Sequence, residues 1–520
     1  MVSADGNRGG QITSGTWDYV IVGAGSGGAT LAARLSENPL NQVLLLEAGG
    51  RDLSPFIHIP GFLANAMMST TLNWHYPGEP DESLGGRRLT WAAGRVLGGS
   101  SSINGMVFGR GLPADYDAWA AEGNAGWSWA ELLPYFRKLE CWTGKAHPSR
   151  GTSGPLQVRL FDEPHPACLA VMEAFVRASV PRIEDYSIGI DEGIGITQAT
   201  QRGGWRHSSA LGLAIANGRC TGVTFERNGD GRSQSVTAAR EVIVAAGAIG
   251  TPKLLLLSGI GAPDTLRQHG IAVTHDLPGV GRNLNEHVNI KLSAHVSVPT
   301  YNSARFGIRK ACHGLRWMLD RRGPASSPAN HCQAFIKTDA ALPSADAQVQ
   351  LMAFGFNENP GDRTNGISAV VSLCHPEVRG SVGLSSADPK DSPRIDIKML
   401  DSDRDIETLL AGVKFARDML GQSGAKFNAQ VFAPASGVQS DRDWIAFFRQ
   451  NAGLNWHPTS TCRMGNGDFD VVASDLRVRG IEGLSIADAS IMPAVTSANT
   501  NAPVIAIAEK AADMILARAQ

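Results

Sequence analysis

Three glycine-rich runs and one histidine-bearing segment hold the residue types that can do chemistry in this chain of 520 residues. GAGSGG at 23–28 fits G-x-G-x-x-G through Gly23, Gly25 and Gly28. In such a run the first glycine permits a tight turn and the second lets a pyrophosphate approach the backbone. The third lets a helix pack on the preceding strand while its N-terminal amides face the phosphates. Glu47, 19 residues after Gly28, stands where a carboxylate hydrogen-bonds an adenosine ribose. The pattern points to a bound dinucleotide and does not separate NAD from FAD.

The second run, GRVLGGSSSING at 94–105, surrounds Arg95 and Asn104 with small residues. Composition alone also suits a surface loop. The interleaved Val96, Leu97, Ile103, Met106, Val107 and Phe108 argue instead for a buried backbone against which a flat ligand can lie. The third, GAIGTPKLLLLSGIG at 247–261, reads as a turn, a buried helix and a glycine stop. The fourth segment pairs NWHPTSTCRMG at 455–465 with DASIMPAVTSANTNAP at 488–503. By itself His457 reads more readily as a structural histidine than as a catalytic one. No G-x-S-x-G nucleophile elbow and no H-E-x-x-H zinc motif is present, and no metal site is expected.

Elements that position these runs follow from hydrophobic patterning. A buried strand at 19–22, a helix over 27–36 and a second strand at 43–46 make a β-α-β opening, as in a doubly wound α/β domain. A third strand is expected at 242–246, followed by a leucine-rich helix, and a fourth at 484–487 before a last helix from about Pro503 to Arg518. Residues 300–450 mix short alternating runs with turn-rich stretches such as NENPGDRTNG. They predict an antiparallel sheet with helices near 402–420 and 441–450.

Composition narrows the class. Hydrophobic residues make up 43% and charged residues 18%, which sustains a large core. A net charge of -2 gives no basic footprint for nucleic acid. Seven cysteines without a C-x-x-C pair argue against a disulfide scaffold. No apolar run approaches the ~20 residues of a membrane span, and the polar first sixteen residues lack the apolar centre of a signal peptide. A cytoplasmic location is expected.

Taken together and in this order, the four segments resemble the glucose–methanol–choline (GMC) oxidoreductases from about Asp18 onward. Residues 94–108 resemble the family's first signature and 247–261 its second. The resemblance implies FAD rather than NAD and an α/β (α+β overall) fold. A discontinuous Rossmann-like FAD-binding domain would be drawn from 17–155, 190–299 and 455–520. A substrate-binding domain, a mainly antiparallel sheet covered by helices, would come from 156–189 and 300–454, and residues 1–16 would form a disordered tail. His457 and Asn499 are implied as the active-site pair: His457 takes the hydroxyl proton, Asn499 hydrogen-bonds the developing alkoxide, and hydride passes to the flavin.

The implied FAD contacts are Gly23, Gly25, Ser26, Gly27 and Gly28 at the pyrophosphate turn, and Glu47 and Ala48 near the ribose. Gly94, Arg95, Gly98, Gly99, Ser100, Asn104, Gly105, Met106 and Val107 come from the flavin-facing loop. Ala246, Gly247, Trp456, Asp488, Ala489, Asn499 and Asn501 complete the set. Some relatives bind FAD covalently through a histidine just before Asn104; Ile103 stands there, so non-covalent FAD is expected. Choline-specific relatives place a glutamate near the ammonium, whereas NHCQAF at 330–335 has no acid, which disfavours choline. Between the R-x-S-S-A element, Arg206 to Ala210, and Asn217–Gly218 the chain is shorter than the family's pattern. The expected reaction is oxidation of a primary alcohol to the aldehyde, with oxygen or a quinone-type acceptor reoxidising the flavin. A flavin-containing hydroxynitrile-lyase-type enzyme of the same fold is the alternative.

Overall fold

The apolar run ahead of Gly23 becomes strand Thr16–Val22, whose last four residues are buried. It lies in a six-stranded sheet assembled from three distant parts of the chain. The computed structural model describes residues 15–202, 205–206, 214–216, 219–226, 233–304, 307–356, 362–422 and 427–519. Most of the tail expected at 1–16, residues 207–210 of the R-x-S-S-A element, Asn217–Gly218 and the first half of NENPGDRTNG lie outside them.

Strand Thr16–Val22 pairs in parallel with Val43–Leu46 on one side and with the C-terminal half of Ser233–Val244 on the other. Ser233–Val244 is long enough to pair twice on its far edge. Its first half meets Arg219–Glu226 antiparallel, and its second meets Leu484–Ile486 in parallel. Short strand Ala214–Ala216 pairs next to Arg219–Glu226. The run expected at 242–246 is thus the end of a longer strand, extended backwards by its antiparallel partner. Helix Ser26–Leu35 packs on helix Asn501–Arg518 through Arg34, whose guanidinium lies 2.6 Å from Glu509 and 3.0 Å from Asp513.

The second sheet has seven strands. Its order is Gln430–Ala433, Val288–His295, Gly366–Leu373, Ala347–Met352, Cys332–Ile336 and Gly193–Ile196, with Gly453–Leu454 on the side of Val288–His295. All its pairings are antiparallel. Two of its strands, Gly193–Ile196 and Val288–His295, come from within 190–299, the stretch read as FAD-binding from sequence. Cross-strand pairing recruits them: Ala334 faces Ile194, and Leu292 faces Ala369. One face of the sheet packs Ile290, Leu292, Val349 and Val371 against helices Pro166–Arg177 and Asp403–Gln422. By the period-two alternation of strands, Asn289, Lys291, Gln350 and Val370 point the other way, into a large cavity.

Glycine is required where the first sheet ends. A Cβ on Gly23 would lie 1.9 Å from the Ala245 carbonyl oxygen, and one on Gly28 1.3 Å from that of Gly23. Gly25 differs, because a Cβ there meets nothing closer than 3.9 Å. Gly28→Ala is therefore expected to destabilise the protein by at least about 3 kcal/mol, and Gly25→Ala by less than about 1 kcal/mol. Thermal and urea unfolding followed by circular dichroism checks this; equal losses from the two substitutions would contradict the packing.

Candidate active site

The cavity has a volume of about 1520 Å³ and runs from the ends of the parallel strands to the amide-bearing face of the antiparallel sheet. That exceeds the ~300–1,000 Å³ usual for one drug-sized ligand and leaves room for an extended cofactor and a second molecule. Gly23, Gly25, Ser26 and Gly27 form one end, at the N-terminus of helix Ser26–Leu35. No side chain caps that helix, so its first amides are free to meet an anion. Ser26 donates a 2.5 Å hydrogen bond to the Asn501 side chain, holding the first and last helices together at the cavity wall.

Glu47 and Ala48 line the same end. Burial pushes the Glu47 carboxyl up to about 7, against the Gly49 N–H that donates to it and the nearby charge of Arg95. A carboxyl near half-ionisation at neutral pH can accept from or donate to a sugar hydroxyl. Gly94, Gly99, Ser100, Asn104, Gly105 and Val107 supply the next stretch of wall. Their loop is held from behind by Arg206, which donates to the carbonyls of Ile57 and Ser101 and to Asn104 Oδ1. Ala246, Gly247, Asp488 and Ala489 close the floor. The Asp488 carboxylate accepts from Gly247 N–H, Thr251 Oγ1 and Ser490 N–H, joining two segments that are remote in sequence.

Four residues singled out from sequence do not reach the cavity. Gly28 is used up in the contact with Gly23. Arg95 stacks 4.6 Å from the Trp74 ring centroid. Gly98 has φ +109° and donates its N–H to the Ala24 carbonyl, tying the second glycine run to the first. Met106, at φ +59°, is buried with its sulfur toward Gln201.

At the other end, His457 and Asn499 meet, with Nε2 of the imidazole 3.1 Å from Nδ2 of the amide. Trp456 lines the cavity beside them and donates its indole N–H to the Thr90 carbonyl. His457 Nδ1 lies 2.9 Å from Nδ1 of His287. With the Asn499 amide donating to Nε2, the proton of His457 sits on Nδ1 and is donated to His287, so the Nε2 lone pair at the cavity wall is the acceptor that the Asn499 amide occupies. Burial, together with the neighbouring His287, holds the His457 pKa well below the usual histidine range, and burial takes His287 down to about 4. Both rings are therefore neutral at pH 7.

His287 and Glu286 escape the sequence reading. The buried Glu286 carboxyl accepts from the backbone N–H of His457 at 2.8 and 3.0 Å, and the His287 carbonyl accepts from the backbone N–H of Asn455. The visible signal was the polar run NLNEH entering the apolar strand Val288–His295. What it binds lies 170 residues away. Asn499 has a separate anchor. Asp115 accepts from the Ser497 N–H at 2.9 Å and the Ser497 hydroxyl at 2.6 Å, and lies 2.7 Å from His375 Nε2. Ser497 is fully buried. This Ser–His–Asp cluster thus holds the loop rather than presenting a nucleophile. Asp115→Ala strips the acceptor from these donors and from the Leu112 N–H. The substitution is expected to cost about 3–5 kcal/mol. A change below about 1 kcal/mol in urea unfolding would contradict that role.

Residues 17–214 and 211–289 match one family model described as GMC oxidoreductase, and residues 376–508 match a second with the same description. The first match breaks where the sequence reads as shortened. The chain is 39% identical over 527 aligned residues to the oxygen-dependent choline dehydrogenase of Rhizobium johnstonii, covering 96% of each. Among solved structures it is similar to pyridoxine 4-oxidase from Mesorbium loti, with a TM-score of 0.86, 29% identity and coverage of 96% of this chain and 98% of that one. It is also similar to formate oxidase, with a TM-score of 0.90, 28% identity and coverage of 97% and 99%.

Proposed function

The chain belongs to the GMC oxidoreductase family, and from that premise we propose that it oxidises a primary alcohol to the aldehyde, with oxygen or a quinone-type compound as final acceptor. It is an FAD-dependent oxidoreductase acting on alcohol donors. The wall fits that cofactor: an uncapped helix N-terminus, an open Cβ direction at Gly25 and an acid at the end of the second strand. In this reading the turn at Gly23–Gly27 holds the pyrophosphate, Glu47 the ribose, and the loop Asn104–Val107 the flavin. Ile103 offers no atom for a covalent link, so FAD is held non-covalently.

FAD bound there supplies the hydride acceptor that no side chain provides. The rest falls to the chain. The observation that carries the proposal is the neutral His457 beside Asn499 on the cavity wall. A hydroxyl entering between the two nitrogens replaces their mutual hydrogen bond, donating to His457 Nε2 and accepting from Asn499 Nδ2. Removal of its proton readies the carbinol carbon to release hydride. His457 then carries a proton on each nitrogen, and the Nδ1 proton stays bonded to His287. Asn499 holds the oxygen as its charge grows.

Anaerobic addition of primary alcohols to the yellow holoenzyme tests the reading, and bleaching of the flavin is expected. A hydroxynitrile-lyase-type enzyme would stay oxidised with every alcohol. His457→Ala is expected to retain FAD and to lower kcat by a factor of about 10²–10⁴; normal turnover in that variant would remove His457 from the mechanism. The depressed pKa sets the sign of the pH dependence. Protonation of His457 is inactivating and is resisted in the fold, so kcat/KM for a neutral alcohol should be level down through pH 6.5 and fall only below it. An acid limb centred above 6.5 would contradict that assignment.

A further inference from the structure

We infer that the alcohol bears a carboxylate and that Lys291 receives it on the wall facing the flavin side of the cavity; this rests on the oxidation proposed above. Lys291 lies on strand Val288–His295, two residues from Asn289, so both side chains leave the same face of the strand. It lines the cavity that His457 and Asn499 also line. Among the described residues its ammonium has no carboxylate partner and no hydrogen-bond acceptor. Its contact is the Phe356 ring, 5.1 Å from Nζ. The charge acting on it from nearby is Arg87, another cation, and burial together with that like charge pushes its pKa down. Arg87 itself is spent on the carbonyls of Arg449 and Ala452.

A partly desolvated cation without a counter-ion is unfavourable, and an aromatic face returns only part of what desolvation costs. A bound anion offsets it. The surroundings are those of a polar recognition wall. Across the sheet Lys291 faces Val370 and Val370 faces Gln350, which also lines the cavity. Asn289 donates to Asn455, two residues before His457, and its own Oδ1 is buried without a donor. A Cβ at Gly453 would be 3.3 Å from Asn289 Oδ1 and 3.6 Å from Lys291 Nζ, so glycine leaves space where the two polar ends approach. Among the described residues the carboxyls lining the cavity are Glu47 and Asp488, both at the cofactor end, and Asp488 is already engaged by three donors. Among the described residues a quaternary ammonium would therefore meet a cation here and no anion. One ammonium among amides suits a carboxylate better than a phosphate, which recruits guanidinium forks or several backbone amides.

The test uses the FAD-loaded enzyme at low ionic strength with matched alcohols. These are an ω-hydroxycarboxylate against the corresponding ω-diol, a hydroxymethylbenzoate against the hydroxymethylbenzamide, and choline as the cation. The acids are expected to exceed their neutral partners by about tenfold or more in kcat/KM, mainly through KM, as for a hydrogen bond to a charged group. In Lys291→Met that ratio should fall close to one, while Lys291→Arg should retain a preference. A wild-type preference for the neutral or cationic alcohol, or a ratio that survives Lys291→Met, overturns the inference. Titration with benzoate, followed by flavin absorbance and tryptophan fluorescence, adds a readout independent of turnover. Binding is expected in the wild type and not in Lys291→Met, and equal binding to both overturns the assignment. Flavin bleaching by neutral alcohols without an acid preference sinks this inference alone. Bleaching by none of the alcohols sinks the oxidation reading as well.

Discussion

Backbone meets backbone, without side chains between, where three remote parts of the chain converge at the end of the parallel sheet. Gly23 lies against the Ala245 carbonyl, Gly28 against Gly23, and a Cβ on Gly27 would come 2.5 Å from the Ala487 carbonyl. That close approach brings the first turn, the turn after Ser233–Val244 and the segment after Leu484–Ile486 to one point. The end of the cavity proposed to hold the dinucleotide is the space left beside it. A methyl group at Gly23, Gly27 or Gly28 would wedge the three segments apart and misalign everything mounted on them.

Buried polar side chains then fix the loops that backbone pairing cannot reach. Asp488 joins the last strand's loop to helix Gly247–Leu257. Glu286 and His287 hold the segment bearing His457, and Asp115 holds the loop bearing Asn499. Each carboxyl accepts two or more hydrogen bonds, which is what makes its burial tolerable. His457 and Asn499 are brought within 3.1 Å by anchors that share no segment. The site's accuracy is therefore a property of the whole assembly, and its electrostatics follow. Burial holds both histidine pKa values below the usual range and keeps the rings neutral, with the Nε2 lone pair of His457 unprotonated.

Much of this was legible in the residues. The β-α-β opening, the helices at 403–422 and 441–451 and the last helix stand close to where periodicity put them. Patterning works there because each element has one face to bury. The pairing of His457 with Asn499 came from the family resemblance, and their side chains do meet. Less was legible in the strand pairing. Val288–His295 looks like any apolar strand, and only its partner Gly366–Leu373 puts it in the antiparallel sheet. Arg95 and Met106 have neighbours in sequence that line the cavity, yet a cation–π contact and a left-handed backbone turn them elsewhere.

Local chemistry settled the cofactor turn, the kinds of secondary structure and the residue types available for proton transfer, because tight turns, amphipathic faces and imidazole basicity are properties of short stretches. Long-range packing decided the rest. Whether His457 is charged depends on His287, which lies 170 residues earlier, and on the burial of both rings. Whether Lys291 is a solvated surface lysine or a cation facing the cavity depends on which strand pairs beside it. Neither burial nor the neighbours of a charge can be read from its own segment, since both are set only when distant segments close over it.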